Sequence, residues 1–583
     1  MKRLGTMVKR LRKEAHLNQT VLAYGISSTS DISRIENGEK EPDSFLMCAL
    51  VQRLGKSLDE FEFIAAGNEY QMSLLRAKIQ AAMLKKETDA AGQYLEQYES
   101  YQESRKNLHK QYVLMIRAAI RYIKYGVHTD CIEMLREAMA LSIFGISDSI
   151  SDSIELSCGL CLQETHLLLF YSLLLLEKEK AAETVLLLEQ LVTYIDKRYT
   201  SEELKINSFP GGCYLLAKAY LMQNEKERAY EACEKGVEYV RRNGSTAFLM
   251  ELLLLQQECK YSSVTAQYLE AFGMFRCYAG YQEPEETVIK LLFHGSMRSV
   301  IFSGEMVKEA REAHGWSQEQ LSKDICARET VAKIEKGRTP TVKMLYGLLD
   351  RLGVERRKYF CYVAADDFGT YELQRNCIKS LFQGNKTETG KLLGRLEKVL
   401  DVTIQFNGPF LQAARIAYRI LCGSISDKEA VRQLEKLLCS SMPEFNGEVQ
   451  RVPYQEECFM LNQIAVCLLK MEREQEALIL YESIRKQYRE CGPKSARQLE
   501  TLLYLYCNYV EALGKCGFWE KAVQYGKEAV QLALQGQRGY MAVQLMKKTE
   551  EALEVCCAEE EEWEKNRWPE YINRLMDFFV VEN

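Results

Sequence analysis

Residues 18–38, NQTVLAYGISSTSDISRIENG, recur about half a chain later as residues 317–337, SQEQLSKDICARETVAKIEKG. The segments align without a gap and share six identities: Gln19/Gln318, Leu22/Leu321, Ile26/Ile325, Ile35/Ile334, Glu36/Glu335 and Gly38/Gly337. Ile32/Val331 and Arg34/Lys333 are conservative. Leu22, Ala23 and Ile26 face inward from one helix, and Ile32 and Ile35, at i and i+3, from the next. Each copy therefore predicts helix, turn, helix, and the chain must accommodate two such units.

With 583 residues the chain is too long for one core, so several domains are expected. Glycine and proline are scarce, 34 and 9, which together with abundant Leu, Glu, Ala and Lys predicts an all-α protein. A net charge of −6 excludes general polyanion binding, so any nucleic-acid contact must come from a local basic patch. The 20 cysteines follow no framework spacing and read as reduced thiols. Cys158, Cys161 and His166 lack the fourth ligand and second pair a zinc site needs, so no metal or other cofactor is expected. The N-terminus is charged rather than signal-like, and the apolar run Leu167–Leu176 is too short to cross a bilayer; the expected location is cytoplasmic.

The expected order is a helix-turn-helix unit at 1–66, helical repeats at 67–299, a second unit at 300–363 and further repeats at 364–583. Segments 213–237, 461–484 and 506–530 each suit two antiparallel helices with a small residue on the second: Ala229, Ala477 and Ala522. These hairpins resemble degenerate tetratricopeptide repeats, which predicts an α-solenoid behind each small, five-helix unit. The match between 213–237 and 506–530 at an offset of 293 extends the duplication beyond the 21-residue pattern.

A helix-turn-helix places its second helix in a DNA major groove. In the first unit, Gln19 and the N-terminus of its helix are placed to bond a phosphate. Ser28 is a good N-cap, and Asn37-Gly38 suits a left-handed stop. Thr29, Ser30, Ser33 and Arg34 are left facing the groove. Lys2, Arg3, Lys9, Arg10, Arg12, Lys13, Arg34 and Lys40 make eight basic residues against five acidic ones over 1–42. In the second unit Gln318, Arg328, Glu329 and Lys333 are the corresponding candidates. Arg328 suits guanine and Glu329 suits cytosine N4. There Arg10 and Lys13 are matched by Glu309 and Glu312, and residues 300–341 carry seven basic and seven acidic groups. With no basic excess this copy should bind DNA weakly or serve as a dimerisation half. Arg12 and Arg311 each precede a glutamate, Glu36 and Glu335, by 24 residues, which predicts a structural ion pair in both units.

These residues resemble the Cro/CI-like, or XRE, class of helix-turn-helix, with Gln19 to Glu36 one residue shorter than in its commonest members. The short spacing, the segment LSKDIC and the helical tail resemble the PlcR/Rgg-type regulators of Gram-positive bacteria. That resemblance implies a transcription regulator whose repeats bind a short imported signalling peptide, as in quorum sensing, and which pairs its units on near-palindromic DNA. Fusion in one chain departs from the family and implies an intramolecular pseudo-dimer, with a homodimer as the alternative.

Repeat arrays expose a face lined by the first helix of each hairpin. Counting back from the three alanines puts Asn462, Tyr504, Asn508, Tyr214 and Lys218 there or beside it. An Asn side chain can bond both groups of a peptide backbone, so these are the candidate peptide contacts. The competing expectation is an interaction scaffold whose helix-turn-helix units serve dimerisation; the basic first unit favours DNA. No Gly-rich phosphate loop or HExxH motif is present, and with six histidines nothing supports an enzyme.

Overall fold

The computed structural model describes residues 2–579 except 60, 66, 144–158, 294–299, 339, 353–358, 361–362, 405–406, 440, 444, 492–494 and 557–561. The first unit consists of α1 (Lys2–Glu14), α2 (Gln19–Ala23), α3 (Thr29–Glu36) and α4 (Ser44–Arg53), followed by strand β1 (Glu62–Ala65). Helices from Gly67–Leu84 to Thr287–Leu292 come next. The second unit opens with strand β2 (Val300–Phe302) and continues with α5 (Ser303–Ala313), α6 (Gln318–Ser322), α7 (Arg328–Glu335), α8 (Val342–Arg351) and strand β3 (Tyr359–Phe360). Helices from Phe368–Phe382 to Glu562–Phe579 complete the chain. The protein is all-α, with two helix-turn-helix units each followed by tetratricopeptide-like hairpins. The count within a unit differs from expectation. Among the described residues each unit holds four helices, and a strand rather than a fifth helix follows α4.

The three hairpins read from the sequence form as helix pairs Phe209–Met222 with Lys226–Arg242, Gln455–Lys470 with Glu474–Cys491, and Ala496–Lys515 with Trp519–Gln535. Each turn passes through one left-handed residue: Asn224, Glu472 and Gly517, at φ of 63°, 58° and 78°. Ala229, Ala477 and Ala522 are fully buried, so a larger side chain would force the paired helices apart.

A small sheet in the order β2-β1-β3 joins the units. β1 runs parallel to β2 and antiparallel to β3, with Glu62 opposite Phe360. Glu62 and Phe360 each lie nine residues beyond a matched arginine, Arg53 and Arg351. Equivalent positions thus face each other across an antiparallel pair, the arrangement a local two-fold axis produces. The sheet thus pairs equivalent backbone segments of the two units.

The two units are seated differently. The apolar residues of the first merge with those of the helical repeats in one continuous core. The second closes a core of its own from Met306, Val307, Leu321, Val331, Ile334, Leu348, Leu349 and Leu352.

The halves also meet through charge. Glu203 of the first half bonds Arg375 and lies 3.5 Å from Arg497, both of the second. Burial alone would raise the Glu203 pKa, but Arg497 and Arg375 outweigh it and hold the carboxyl at about 2. A carboxyl depressed in the folded state stabilises it above its unfolded pKa, about 4.3, and that contribution is lost as pH falls towards 2. Stability of the full chain should therefore fall between these pH values by an amount that Glu203→Gln removes. Parallel acid titrations monitored by circular dichroism would check this; identical pH dependence in the two proteins would contradict it.

Candidate nucleic-acid interface

Helix α2 begins where Asn18 Oδ1 accepts from Val21 N at 2.7 Å, and α3 where Ser28 Oγ accepts from Asp31 N at 3.0 Å. Both caps satisfy amides that a helix start leaves unpaired. The turn between them passes through Gly25 at φ +69°, and α3 ends at Gly38 at φ +73°. Ile32 and Ile35 point inward and are buried. Thr29, Ser30 and Arg34 are exposed and Ser33 is half-buried, so the side of α3 opposite the core is polar and open. Arg10 is exposed and pairs with Glu14 one turn on, while Lys9 Nζ donates to Asn37 Oδ1 at 3.3 Å. The side chains of Lys2, Arg3 and Glu309 lie outside the described residues.

Behind this face, α1 crosses the end of α3. Gly5 makes the approach possible, since a Cβ there would stand 2.0 Å from the Ile35 carbonyl oxygen. Arg12 closes a two-pronged pair with Glu36, Nε to Oε1 at 2.6 Å and Nη2 to Oε2 at 2.9 Å, and its Nη1 donates to the Leu17 carbonyl at 2.7 Å. Arg311 repeats each bond in the second unit, to Glu335 at 2.7 and 3.2 Å and to the Trp316 carbonyl at 2.8 Å. The structural pairs expected from the 24-residue spacing are present in both copies. Glu36→Ala would leave a mostly buried guanidinium without its counter-charge and should cost about 3 kcal/mol of folding free energy. A urea unfolding curve with an unchanged midpoint would contradict this.

The same geometry corrects the expectation for Gln19 and Gln318. Their amide nitrogens donate to Glu36 and Glu335 at 2.8 and 2.7 Å. Each amide completes the hydrogen bonding of a buried carboxylate, and the helix N-terminus is what remains for a phosphate.

The second unit departs from the first at three points. Ala327 stands where Ser28 caps α3, and α7 starts without a side-chain cap. Asp324 replaces Gly25 as the left-handed turn residue, at φ 60°. Arg328, Glu329 and Lys333 are exposed. In the first unit the turn is pressed against the repeats: a Cβ on Gly25 would lie 2.3 Å from the Leu141 carbonyl oxygen. The side chain of Asp324 is 78% exposed.

The seating of the first unit centres on Arg53, at the end of α4. Its Nη1 donates to the carbonyls of Leu22 and Tyr24 at 2.9 and 2.7 Å, closing the end of α2. Nη2 and Nε grip Glu164 of helix Leu162–Glu177, and both side chains are almost fully buried. Gly159 admits this contact, because a Cβ there would meet the Arg53 carbonyl oxygen at 1.9 Å. Arg351 likewise reaches the Leu321 and Lys323 carbonyls, but its ion-pair partner among the described residues is exposed Asp324 at 3.9 Å. The glutamate corresponding to Glu164 is Glu457; each bonds back to the N-cap amide three residues before it. Glu457 is held by Arg451, at 2.8 Å to each oxygen, from the loop preceding its own helix. One duplicated carboxylate thus anchors a helix-turn-helix unit to the repeats, and the other is paired within the repeats. Sequence reasoning missed Arg53, Glu164, Gly25 and Gly159.

The candidate peptide contacts are placed unevenly. Asn462 is 2% exposed, and its Oδ1 accepts from Asn508 Nδ2 at 2.9 Å and from the Tyr481 hydroxyl at 3.4 Å. This corrects its assignment as a peptide contact: the two asparagines bond each other between neighbouring helices. Asn508 is half-buried. Tyr504 stacks on Phe382, ring centroids 4.1 Å apart, beside a small cavity that also reaches Arg375, Gln455 and Arg497. In the first half Tyr214 packs on Phe248, and Lys218 Nζ stands 5.5 Å from the Tyr214 ring centre. The structure does not bring the first-half pair together with Tyr504. Cys158 lies outside the described residues; Cys161 is buried, and His166 Nε2 is 3.0 Å from the Asn207 carbonyl. Among the described residues no helix is long and apolar enough to cross a membrane.

The helix-turn-helix family matches residues 8–61 and 307–358, so the chain carries two domains of that class. Among solved structures, the chain is similar to PlcR of Bacillus thuringiensis, determined in complex with the peptide PapR7 and DNA. Identity is 20%, coverage 47% of this chain and 94% of that one, and the TM-score 0.31. The SHP pheromone receptor Rgg2 of Streptococcus dysgalactiae is 13% identical, covering 47% of this chain and 99% of that one, with a TM-score of 0.21. The Cut9–Hcn1 hetero-tetramer of APC/C is 12% identical over 88% of this chain and 96% of that one, with a TM-score of 0.19. No curated protein matches the chain.

Proposed function

We propose that the protein is a sequence-specific DNA-binding transcription regulator in which two helix-turn-helix units act as an internal pair. The observation that carries this reading is the open polar face of α3, on a unit with a basic excess and a recognition helix braced from behind by Arg12–Glu36. In this reading Ser28, Thr29, Ser30, Ser33 and Arg34 meet base edges or phosphates, and Lys9 and Arg10 meet the backbone. Arg328, Glu329 and Lys333 make the corresponding, weaker contacts. The β1–β3 pairing supports a two-fold arrangement, which reads half-sites about 34 Å apart or a multiple of that. Because α3 and α7 carry different outward residues, the preferred site is an imperfect palindrome. Binding of selected duplexes by wild type, by Arg34→Ala and by Arg328→Ala with Lys333→Ala tests the ranking of the units. A larger loss from the second-unit changes would reverse it.

Control by a short peptide is the finer part of the proposal. It rests on the hairpin architecture and on Tyr504 beside its cavity, with Asn508, Tyr214 and Lys218 as further contacts. A peptide switches the protein only if it binds one arrangement of the two units better than another. Calorimetry with short peptides encoded near the gene, on wild type and Tyr504→Ala, would test it. Binding indifferent to Tyr504 would remove the site, and DNA affinity indifferent to every such peptide would leave a constitutive regulator.

A further inference from the structure

A cavity of about 90 Å³ lies where three parts of the chain meet. Its walls include Phe45 and Asp59 of the first unit's segment, Arg76 and Gln163 of the first repeats, and Ser495 and Arg538 of the second half. That volume holds several waters or the head of a small ligand.

The polar atoms around it are out of balance. Arg76 is 6% exposed. Its Nη1 donates to the Tyr98 hydroxyl at 3.0 Å, and the guanidinium carbon lies 4.4 Å from the centre of the Phe45 ring. Tyr98 in turn meets His109 Nδ1 at 2.6 Å, and His109 is held neutral, chiefly by burial, with its pKa at about 4. The hydrogen-bond and ring partners of Arg76 carry no charge, the Glu69 carboxyl that feels its field is itself pushed up by burial, and among the described residues Arg76 Nε has no hydrogen-bond partner. Two more buried atoms of lining residues, Arg538 Nε and Gln163 Oε1, also lack partners among the described residues. Two acidic groups line the cavity: Asp59 is pushed up to about 6, first by burial, and Glu203, held at about 2, is already engaged by Arg375 and Arg497, so together they offset the lining arginines only in part. Buried guanidinium N–H groups left without an acceptor are costly, and an unbonded buried acceptor adds to that cost.

We propose that this cavity binds a small carboxylate, its oxygens taken by Arg76 and Arg538 and a hydroxyl or amino donor of the ligand by Gln163 Oε1. The planar guanidinium fork matches a carboxylate with two parallel hydrogen bonds. The carboxylate belongs either to a free small acid or to the C-terminus of a longer molecule. Occupancy ties the first helix-turn-helix unit to both halves of the chain at one point. Arg76, Arg538 and Gln163 are not among the residues lining the Tyr504 cavity, which this one adjoins through Glu203 and Arg497, and occupancy here is measured without DNA.

The test is thermal unfolding and calorimetry of the full chain at constant ionic strength. The probes are L-glutamate, citrate, succinate, inorganic phosphate, and trialanine with a free or an amidated C-terminus. At least one carboxylate should raise the melting temperature in a saturable way. Arg76→Gln and Arg538→Gln should each weaken that binding on the order of tenfold or more, as loss of a charge-assisted hydrogen bond predicts. Arg538 is only half-buried, so its variant keeps the test open if Arg76→Gln fails to fold. Trialanine binding that amidation abolishes assigns a terminal carboxylate, and glutamate or citrate binding without it assigns a free acid. No saturable response to any carboxylate, or a response equal in both variants and wild type, would overturn the proposal. So would phosphate binding in place of every carboxylate.

Discussion

Glu164→Ala should destabilise the full chain by about 3–5 kcal/mol, because it leaves the Arg53 guanidinium buried with no counter-charge. Arg53 and Glu164 are 2% and 0% exposed at their side chains, so water cannot replace the lost partner. The damage should also be local. Arg53 holds the end of α2 through two carbonyls while gripping the repeats, so its release loosens the seat of the first unit. Amide hydrogen exchange in α2 and α4 should accelerate in Glu164→Ala. In Glu457→Ala, where the lost partner is Arg451, exchange in α6 and α8 should not change. Equal effects on the two units would mean that the duplicated carboxylates play the same part. An unchanged unfolding midpoint for Glu164→Ala would remove the anchor altogether.

The second large effect concerns DNA. Arg34→Ala should weaken binding to the preferred site by about 1–3 kcal/mol and relax sequence preference at the position it reads. Arg10→Glu should act differently. It replaces a positive charge on the exposed face of α1 with a negative one, and places that charge one turn from Glu14. Affinity should fall for all sequences alike, and the slope of log affinity against log salt should flatten by about 1. Fluorescence anisotropy on specific and scrambled duplexes across a salt series separates the two. Loss of specificity in Arg10→Glu, or a uniform loss in Arg34→Ala, would exchange the roles given to these residues.

Local and periodic features of the chain were legible in advance. The caps at Ser28 and Asn37-Gly38, the inward Ile32 and Ile35, the Arg12–Glu36 pair and the three hairpins around buried alanines all follow from spacing within one or two helices. What escaped depends on contacts between distant segments. Strands of two to four residues show no alternation to read, and β1 pairs with β2 across more than 200 residues of chain. Arg53 and Glu164 stand 111 residues apart, and neither carries a local mark of its partner. Gly25 and Gly159 are small because another backbone comes close, which only the folded chain reveals. The alanine count put Asn462 on the open face, where a polar residue suggested a ligand. Asn508, 46 residues on, satisfies it instead. Gln19 was misjudged for a similar reason: its amide completes the bonding of Glu36 rather than waiting for a phosphate.

In the proposed function one chain reads DNA as an internal pair led by its first unit. Selection of bound sequences from a random duplex pool, followed by footprinting and a measurement of protein mass on the enriched duplex, tests it most directly. The expected result is an enriched imperfect palindrome, protected over two half-sites and occupied by a single chain, with the better-defined half-site lost in Arg34→Ala. Failure to enrich any sequence would contradict it, as would two chains bound across four half-sites.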